Sequence, residues 1–180
     1  LMKKDNFYFE IVTNQGVYSD SRINRIQAVA DLLVALNPDT SYKIAVALGA
    51  ARLELMNINY VENYLDILED PKIEVMKFVV FDPHGPEAFD DLKHELEKRG
   101  DLAVTSSSPN NIEINDIHAQ KGIALTDYAK DRGIAMQDVM AIGDNLNDES
   151  MIEAAGIGVA MGNAIPHIKA LADYETAINT

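Results

Sequence analysis

Apolar and polar positions recur with two different periods along these 180 residues, and the order of elements they predict changes partway. Residues 7–13, Phe-Tyr-Phe-Glu-Ile-Val-Thr, are aromatic and β-branched and predict a strand. Asn14-Gln15-Gly16 is a turn signal, with a short second strand expected at Val17-Tyr18. The spacing of Ile23, Ile26, Val29, Ala30 and Leu33 predicts a helix, begun by Ser21 as N-cap and stopped by Asn37-Pro38. Two further helices are expected over 41–56 and 60–69, the second ended by Asp70-Pro71. Glu74 to Phe81 predicts an apolar strand, and 86–99 an amphipathic helix closed by Gly100. Leu102 to Thr105 and Ile112 to Ile114 predict strands joined by the turn-rich Ser106-Ser107-Ser108-Pro109-Asn110-Asn111. That is hairpin chemistry, so the pair is expected to be antiparallel.

From Asn115-Asp116 onward the texture differs. A helix is expected over 119–132, stopped by Gly133, and then a short apolar strand at Val139-Met140-Ala141-Ile142. A helix over 147–155, a strand at Gly158-Val159-Ala160 and a helix over 165–172 follow. Strands alternating with helices predict a parallel sheet wrapped by helices. The expected fold class is α/β, in two domains, 1–115 and 116–180.

Composition narrows the function classes. Apolar residues make up 47% and charged residues 24%, as in a folded globular chain. The net charge is −14, with 11 basic and 19 acidic side chains in residues 1–115 and 4 and 10 in residues 116–180. Neither part offers a basic stripe for a phosphate backbone, so neither a nucleic-acid nor an anionic-membrane partner is expected. No run of apolar residues is long enough to span a bilayer, and the start, Leu1-Met2-Lys3-Lys4-Asp5, has no apolar stretch behind its lysines. Cysteine is absent, which removes disulfides, thiolate metal sites and cysteine nucleophiles together; a cytoplasmic location is expected.

The chemistry concentrates in Ala141-Ile142-Gly143-Asp144-Asn145-Leu146-Asn147-Asp148-Glu149-Ser150. Ligands bind at the carboxyl ends of strands in open α/β sheets, and Asp144 falls at such an end. Asn147 and Asp148 fall in the first turn of the next helix, where free N–H groups and the helix dipole favour an anion. Oxygen donors suit a hard cation such as Mg²⁺. Simple helix capping by Asn147 and Asp148 is the plainer explanation. Four oxygen-bearing side chains in five residues behind a wholly apolar strand favour a site. A calcium loop of the EF-hand kind fits poorly, because Leu146 stands where its third-position ligand belongs.

Lys121-Gly122 opens the helix that precedes this strand. A cation in a first turn opposes the dipole by about 0.3–1 kcal/mol, a cost that a nearby anion turns into a gain. The four histidines show no metal-ligand spacing, and only His118, close to Lys121, stands near the candidate chemistry.

Lys121-Gly122-Ile123-Ala124-Leu125, the Gly143 to Met151 elbow and the stretch Ala154 to Ala164 closely resemble the Cof-like branch of the haloacid dehalogenase superfamily. Ala172-Asp173-Tyr174 through Thr180 resembles the beginning of that family's tail, and residues 1–115 resemble its cap in layout and in the exit Asn111-Ile112-Glu113-Ile114. The resemblance implies a partial Rossmann-like core in 116–180 with a large α/β cap that helps choose the substrate. It implies Mg²⁺-dependent hydrolysis of a small phosphomonoester, a sugar phosphate or similar metabolite, through an aspartyl-phosphate. Asp144 would then be the metal ligand, Asp148 would orient the metal's water shell and neighbouring side chains, Lys121 would balance charge between the nucleophile and the phosphate, and Asn147 would touch the phosphate.

The family's nucleophile lies in Asp-x-Asp-Gly, and no Asp-x-Asp occurs in this sequence. Phe78-Val79-Val80-Phe81-Asp82-Pro83-His84-Gly85 imitates it, with Thr105 imitating the family's second motif. A parallel core would need a crossover of about a dozen residues after Thr105, and the Ser106–Asn111 loop is too short for one. The nucleophile is therefore expected upstream of Leu1, and the chain alone is expected to be inactive. A binding or regulatory module that kept the cap and half the core is the alternative. A receiver-type signalling domain is the weaker option, because no paired acids precede Lys121 suitably. A half core exposes apolar strand edges, which points to self-association.

Overall fold

The computed structural model describes residue 2, residues 7–55 and residues 57–178. Most of the start Leu1-Met2-Lys3-Lys4-Asp5, the end of the expected 41–56 helix and the final tail residues 179–180 fall outside the described residues. The fold is α/β, in two compact units. One comprises Leu1–Arg99 with Pro109–Ile114; the other comprises Gly100–Ser108 with Asn115–Thr180. In chain order the first elements are β1 (Tyr8–Thr13), β2 (Gly16–Ser19), α1 (Arg22–Leu36), α2 (Tyr42–Glu54), β3 (Ile58–Tyr60) and α3 (Leu65–Leu68). They are followed by β4 (Val75–Phe81), α4 (Asp90–Glu97), β5 (Leu102–Thr105) and β6 (Asn111–Asp116). Then come α5 (Lys121–Asp131), β7 (Met140–Gly143), α6 (Glu149–Ala154), β8 (Ile157–Ala160), α7 (Pro166–Leu171) and β9 (Tyr174–Glu175).

In the first unit the strands lie in the order β3-β2-β1-β4-β6. β1 pairs antiparallel with β2 and with β4, and β3 runs parallel to β2. Strand parity assigns Phe9 and Ile11 of β1 to one face, where Phe9 stacks on Tyr64 at 4.7 Å between centroids. Each large apolar side chain buried this way stabilises the unit by about 1.5–3 kcal/mol. Ser21 caps α1 as expected, its hydroxyl accepting from the Asn24 N–H at 3.1 Å. The helix expected over 60–69 shrinks to α3. Ile58–Tyr60 pair instead with Val17–Ser19, and Asn63 Oδ1 accepts from the Leu65 N–H at 3.1 Å, which starts the helix late. Strand pairing overrides local propensity there.

The opposite parity of β1 carries a buried polar cluster. Arg25 Nε lies 3.0 Å from Glu10 Oε1, with both residues under a tenth exposed. Tyr8 Oη donates to the same oxygen at 2.8 Å, and the Arg25 guanidinium stands 5.2 Å from the Phe81 ring centroid. Burial pushes the Glu10 carboxyl above its usual range, with the Arg25 charge and the Tyr8 hydrogen bond pulling it back.

The second unit contains the expected parallel sheet, β7-β8-β9. Ile142 pairs with Val159, and Val159 with Tyr174. Ile152, Ala160, Ala164 and Ile168 form its buried centre. Because both strand pairings are parallel, the carboxyl ends of all three strands share one edge of the sheet. No helix among the described residues is long and apolar enough to cross a membrane.

Replacing one member of a buried ion pair leaves the other charge uncompensated, whereas replacing both does not. Glu10→Ala should therefore cost about 3 kcal/mol in urea unfolding. The double Glu10→Met/Arg25→Met variant should lie closer to wild type than the single one. A double variant worse than Glu10→Ala would refute this account of the cluster.

Candidate active site

β7 ends at Gly143, and Asp144 follows at the carboxyl edge of the parallel sheet. The chain then turns through Asn145 into a single 3-10 turn, Leu146–Asp148, before α6 begins. Asn145 Oδ1 accepts from the Leu146 N–H at 2.9 Å. Asp148 reaches back, its Oδ2 accepting from the N–H groups of Asp144 at 3.0 Å and Asn145 at 3.4 Å. Capping is thus real, and it uses one oxygen of Asp148. The other oxygen, Oδ1, accepts from Lys121 Nζ at 2.5 Å.

One carboxylate therefore joins the head of α5 to the elbow after β7. Asp148 is buried, while the Lys121 side chain is about half exposed at 49%. An ion pair with one partner in water contributes about 0.2–1 kcal/mol. A lysine in a first turn costs a similar amount, about 0.3–1 kcal/mol. The pair breaks even as a stabilising device, so stability alone does not account for an ammonium at this position. Burial by itself would raise the Asp148 carboxyl; the Lys121 hydrogen bond and charge, with the N–H groups of Asp144 and Asn145, outweigh it and hold the group below the usual carboxylate range.

Two glycines permit the approach. A Cβ on Gly143 would lie 2.4 Å from Asp148 Cβ, and a Cβ on Gly122 would lie 2.1 Å from the Ser150 carbonyl oxygen. α5 and α6 meet at that second point, where Ser150 Oγ accepts from the Gly122 N–H at 3.0 Å.

Asp144 is half-buried, and its carbonyl accepts from the Ile165 N–H at 3.0 Å. Its Oδ2 accepts from Asn163 Nδ2 at 3.2 Å. Asn147 is also half-buried, and its N–H donates to the Ser106 carbonyl at 3.2 Å. The structure thus brings Lys121, Asp144 and Asp148 to one end of one sheet, with Asn147 in the same turn. Asn163 and Ser106 received no role from the sequence. Asn163 lies inside the family-like stretch, yet nothing in its spacing signals a bond to Asp144. Ser106 lies 41 positions away from Asn147, too far for local pattern to connect them.

His118 pairs with Asp116, Nδ1 to Oδ1 at 3.1 Å, with its side chain 83% exposed. In the first unit Asp82 Oδ1 engages its own turn, accepting from the His84 N–H at 2.9 Å and lying 2.7 Å from His84 Nδ1.

Among the described residues no group of three or more histidine, aspartate or glutamate side chains gathers as a metal cluster. Magnesium does not require one. It takes one or two protein carboxylates and completes its octahedron with water and phosphate oxygens. Asp144 presents two carboxyl oxygens at the strand end, of which the Asn163 amide engages one, so the residues present fit one protein side of such a site.

The sequence pattern that defines haloacid dehalogenase-like hydrolases matches residues 1–180. Phosphatase YwpJ of Bacillus subtilis is 31% identical over 180 residues, covering 99% of this chain and 63% of the relative. From the same organism, 5-amino-6-(5-phospho-D-ribitylamino)uracil phosphatase YcsE is 44% identical over 99 residues, covering 55% of this chain and 40% of its own length. A solved haloacid dehalogenase-like hydrolase from Bacillus subtilis superposes with a TM-score of 0.82 at 30% identity, covering 98% of this chain and 62% of that one. The chain therefore spans less than two thirds of each of these relatives.

Asp148→Asn should lower stability at neutral pH by about 1–3 kcal/mol, since it replaces one of the two acceptor oxygens with an NH2 donor, which must then face either the Lys121 ammonium or the N–H groups of Asp144 and Asn145. The folded carboxyl sits below its unfolded value, so its contribution is complete above about pH 3.9 and is lost as pH falls through the folded value. The gap between wild type and Asp148→Asn should accordingly narrow in urea titrations run below pH 4. A gap that stays constant from pH 7 to pH 3 would contradict the shared-carboxylate geometry. Gly143→Ala, which drives a methyl group into Asp148, should cost about 1–3 kcal/mol by the same assay.

Proposed function

The chain belongs to the haloacid dehalogenase-like hydrolase family, and from that premise we propose that it supplies the cation-side half of a phosphatase site. The reaction is hydrolysis of a small phosphomonoester, of the sugar-phosphate or polyol-phosphate kind, through an aspartyl-phosphate. No Asp-x-Asp occurs in the sequence, so the nucleophile is assigned to residues outside these 180. Residues 1–115 act as the cap that selects the substrate, and 116–180 as part of the hydrolase core.

The observation that carries this proposal is the single Asp148 carboxylate held by the Lys121 ammonium on one oxygen and by the Asp144 N–H on the other. Asp144 is the acidic ligand for Mg²⁺. When bound, Mg²⁺ supplies a positive charge that neutralises phosphate oxygens and fixes one of them in place. Lys121 places its ammonium against the charge that develops on the transferring phosphoryl group, where positioned cations have most effect. Asp148 orients that ammonium and braces the elbow. Asn147 contributes a phosphate contact from the first turn. Support for a phosphorylated polyol comes from YcsE, named for a phosphorylated ribityl compound.

The lack of an Asp-x-Asp in these 180 residues favours a second reading, a module that binds phosphorylated ligands without turning them over. On either reading the exposed edge strand β7, with Met140 and Ile142 59% and 47% exposed, favours self-association of the chain by strand pairing.

Complementation separates the readings. The chain mixed with an amino-terminal piece of a relative that carries the Asp-x-Asp strand should hydrolyse p-nitrophenyl phosphate when Mg²⁺ is present. Asp144→Asn or Lys121→Met should lower kcat/KM by about 10²–10³-fold. Binding without turnover in every mixture would favour the module, and turnover by the chain alone that depends on Asp82 would overturn the assignment.

A further inference from the structure

A cation ligand must be held in one orientation, because free rotation about its side-chain bonds would spread the carboxylate over several directions. Asp144 is held by an amide from the neighbouring strand end. Asn163 lies in the loop that follows β8, the strand paired in parallel with β7, and its Nδ2 donates to Asp144 Oδ2 at 3.2 Å. That loop is fixed without Asn163's side chain. The Met161 N–H donates to the Gly143 carbonyl at 2.9 Å, and the Ile165 N–H to the Asp144 carbonyl at 3.0 Å. Both anchors are on the strand end that presents Asp144, one on each side of Asn163. Lys169 Nζ adds a bond to the Gly162 carbonyl at 2.7 Å, and Thr176 Oγ1 accepts from the Gly162 N–H at 3.3 Å.

Asn163 itself is exposed, while its neighbour Ala164 is buried at 7%. An exposed side-chain hydrogen bond exchanges readily with water and adds little to stability. The backbone does not need this side chain, the core does not contain it, and among the described residues its amide donates to the carboxylate assigned to the cation.

We propose that Asn163 is the positioning residue for Asp144: its amide holds one carboxylate oxygen and leaves the other to ligate, so that it sets the affinity of the site for a divalent cation. This rests on the assignment of Asp144 as that ligand. Outer partners of ligating groups typically change metal affinity by about 10–100-fold, and an exposed bond belongs at the low end.

The test uses the full chain and Mn²⁺ as the probe, with free Mn²⁺ read by electron paramagnetic resonance. Asn163→Leu keeps the side chain's approximate size and removes its donor; Asn163→Ala is run beside it. Both should weaken Mn²⁺ binding about tenfold while the metal-free Tm stays within about 2 °C of wild type, as expected for an exposed site. Asp144→Asn should abolish saturable binding. If Asp144→Asn abolishes binding and both Asn163 variants bind within about twofold of wild type, the positioning role is overturned and the site assignment stands. A large fall in metal-free Tm for both variants would also overturn it, by making Asn163 a structural residue. If Asp144→Asn binds Mn²⁺ like wild type, the assignment of Asp144 fails and the role of Asn163 falls with it.

Discussion

A carboxylate has two oxygens, and in this protein the two oxygens of Asp148 face different masters. Oδ2 satisfies the backbone of the elbow, taking the N–H groups of Asp144 and Asn145; Oδ1 takes the ammonium of Lys121. That division ties the head of α5 to the elbow after β7, beside the bond that the Gly122 N–H donates to Ser150 Oγ. The close approaches at Gly122 and Gly143 exist to make it reachable, since a methyl group at either would collide with the opposing element. Parallel pairing of β7 with β8 then brings the Asn163 loop to the same edge. Fold and site meet in one side chain.

The magnitudes explain why capping and function are not rivals here. Capping by a carboxylate stabilises a helix start by about 1 kcal/mol whether or not a ligand ever binds. The lysine contributes almost nothing once its clash with the helix dipole is set against its ion pair. A residue that is neutral for stability yet held by a buried carboxylate has its orientation specified, and orientation is what a phosphoryl group requires of a cation. The Glu10–Arg25 pair in the first unit is the contrasting case. Both partners are buried, and the cluster is closed by Tyr8, which leaves its charges facing each other rather than a ligand.

Much of this was legible in the sequence because the relevant contacts are local or periodic. The alternation after Asn115 gave the parallel sheet, and Ser21 announced the start of α1. Asp144, Asn147 and Asp148 stood out because oxygen-bearing side chains clustered after an apolar strand, and Lys121 because a cation in a helix's first turn opposes the dipole. What escaped detection depends on partners distant in the chain. β3 is extended because it meets Val17–Ser19, and β9 is only two residues long and exists through its register with β8. Asn163 and Ser106 act through single bonds to the elbow from separate segments, one by its amide and one by its carbonyl. No window of sequence contains both ends of such a bond.

The central claim is that a divalent cation and a phosphate meet between Asp144 and Lys121, and anomalous diffraction from crystals grown with Mn²⁺ and tungstate tests it most directly. The manganese peak should lie about 2.1 Å from an Asp144 carboxylate oxygen, and a tungstate oxygen about 2.8 Å from Lys121 Nζ. Peaks at the opposite edge of the parallel sheet, or manganese bound away from Asp144, would contradict it.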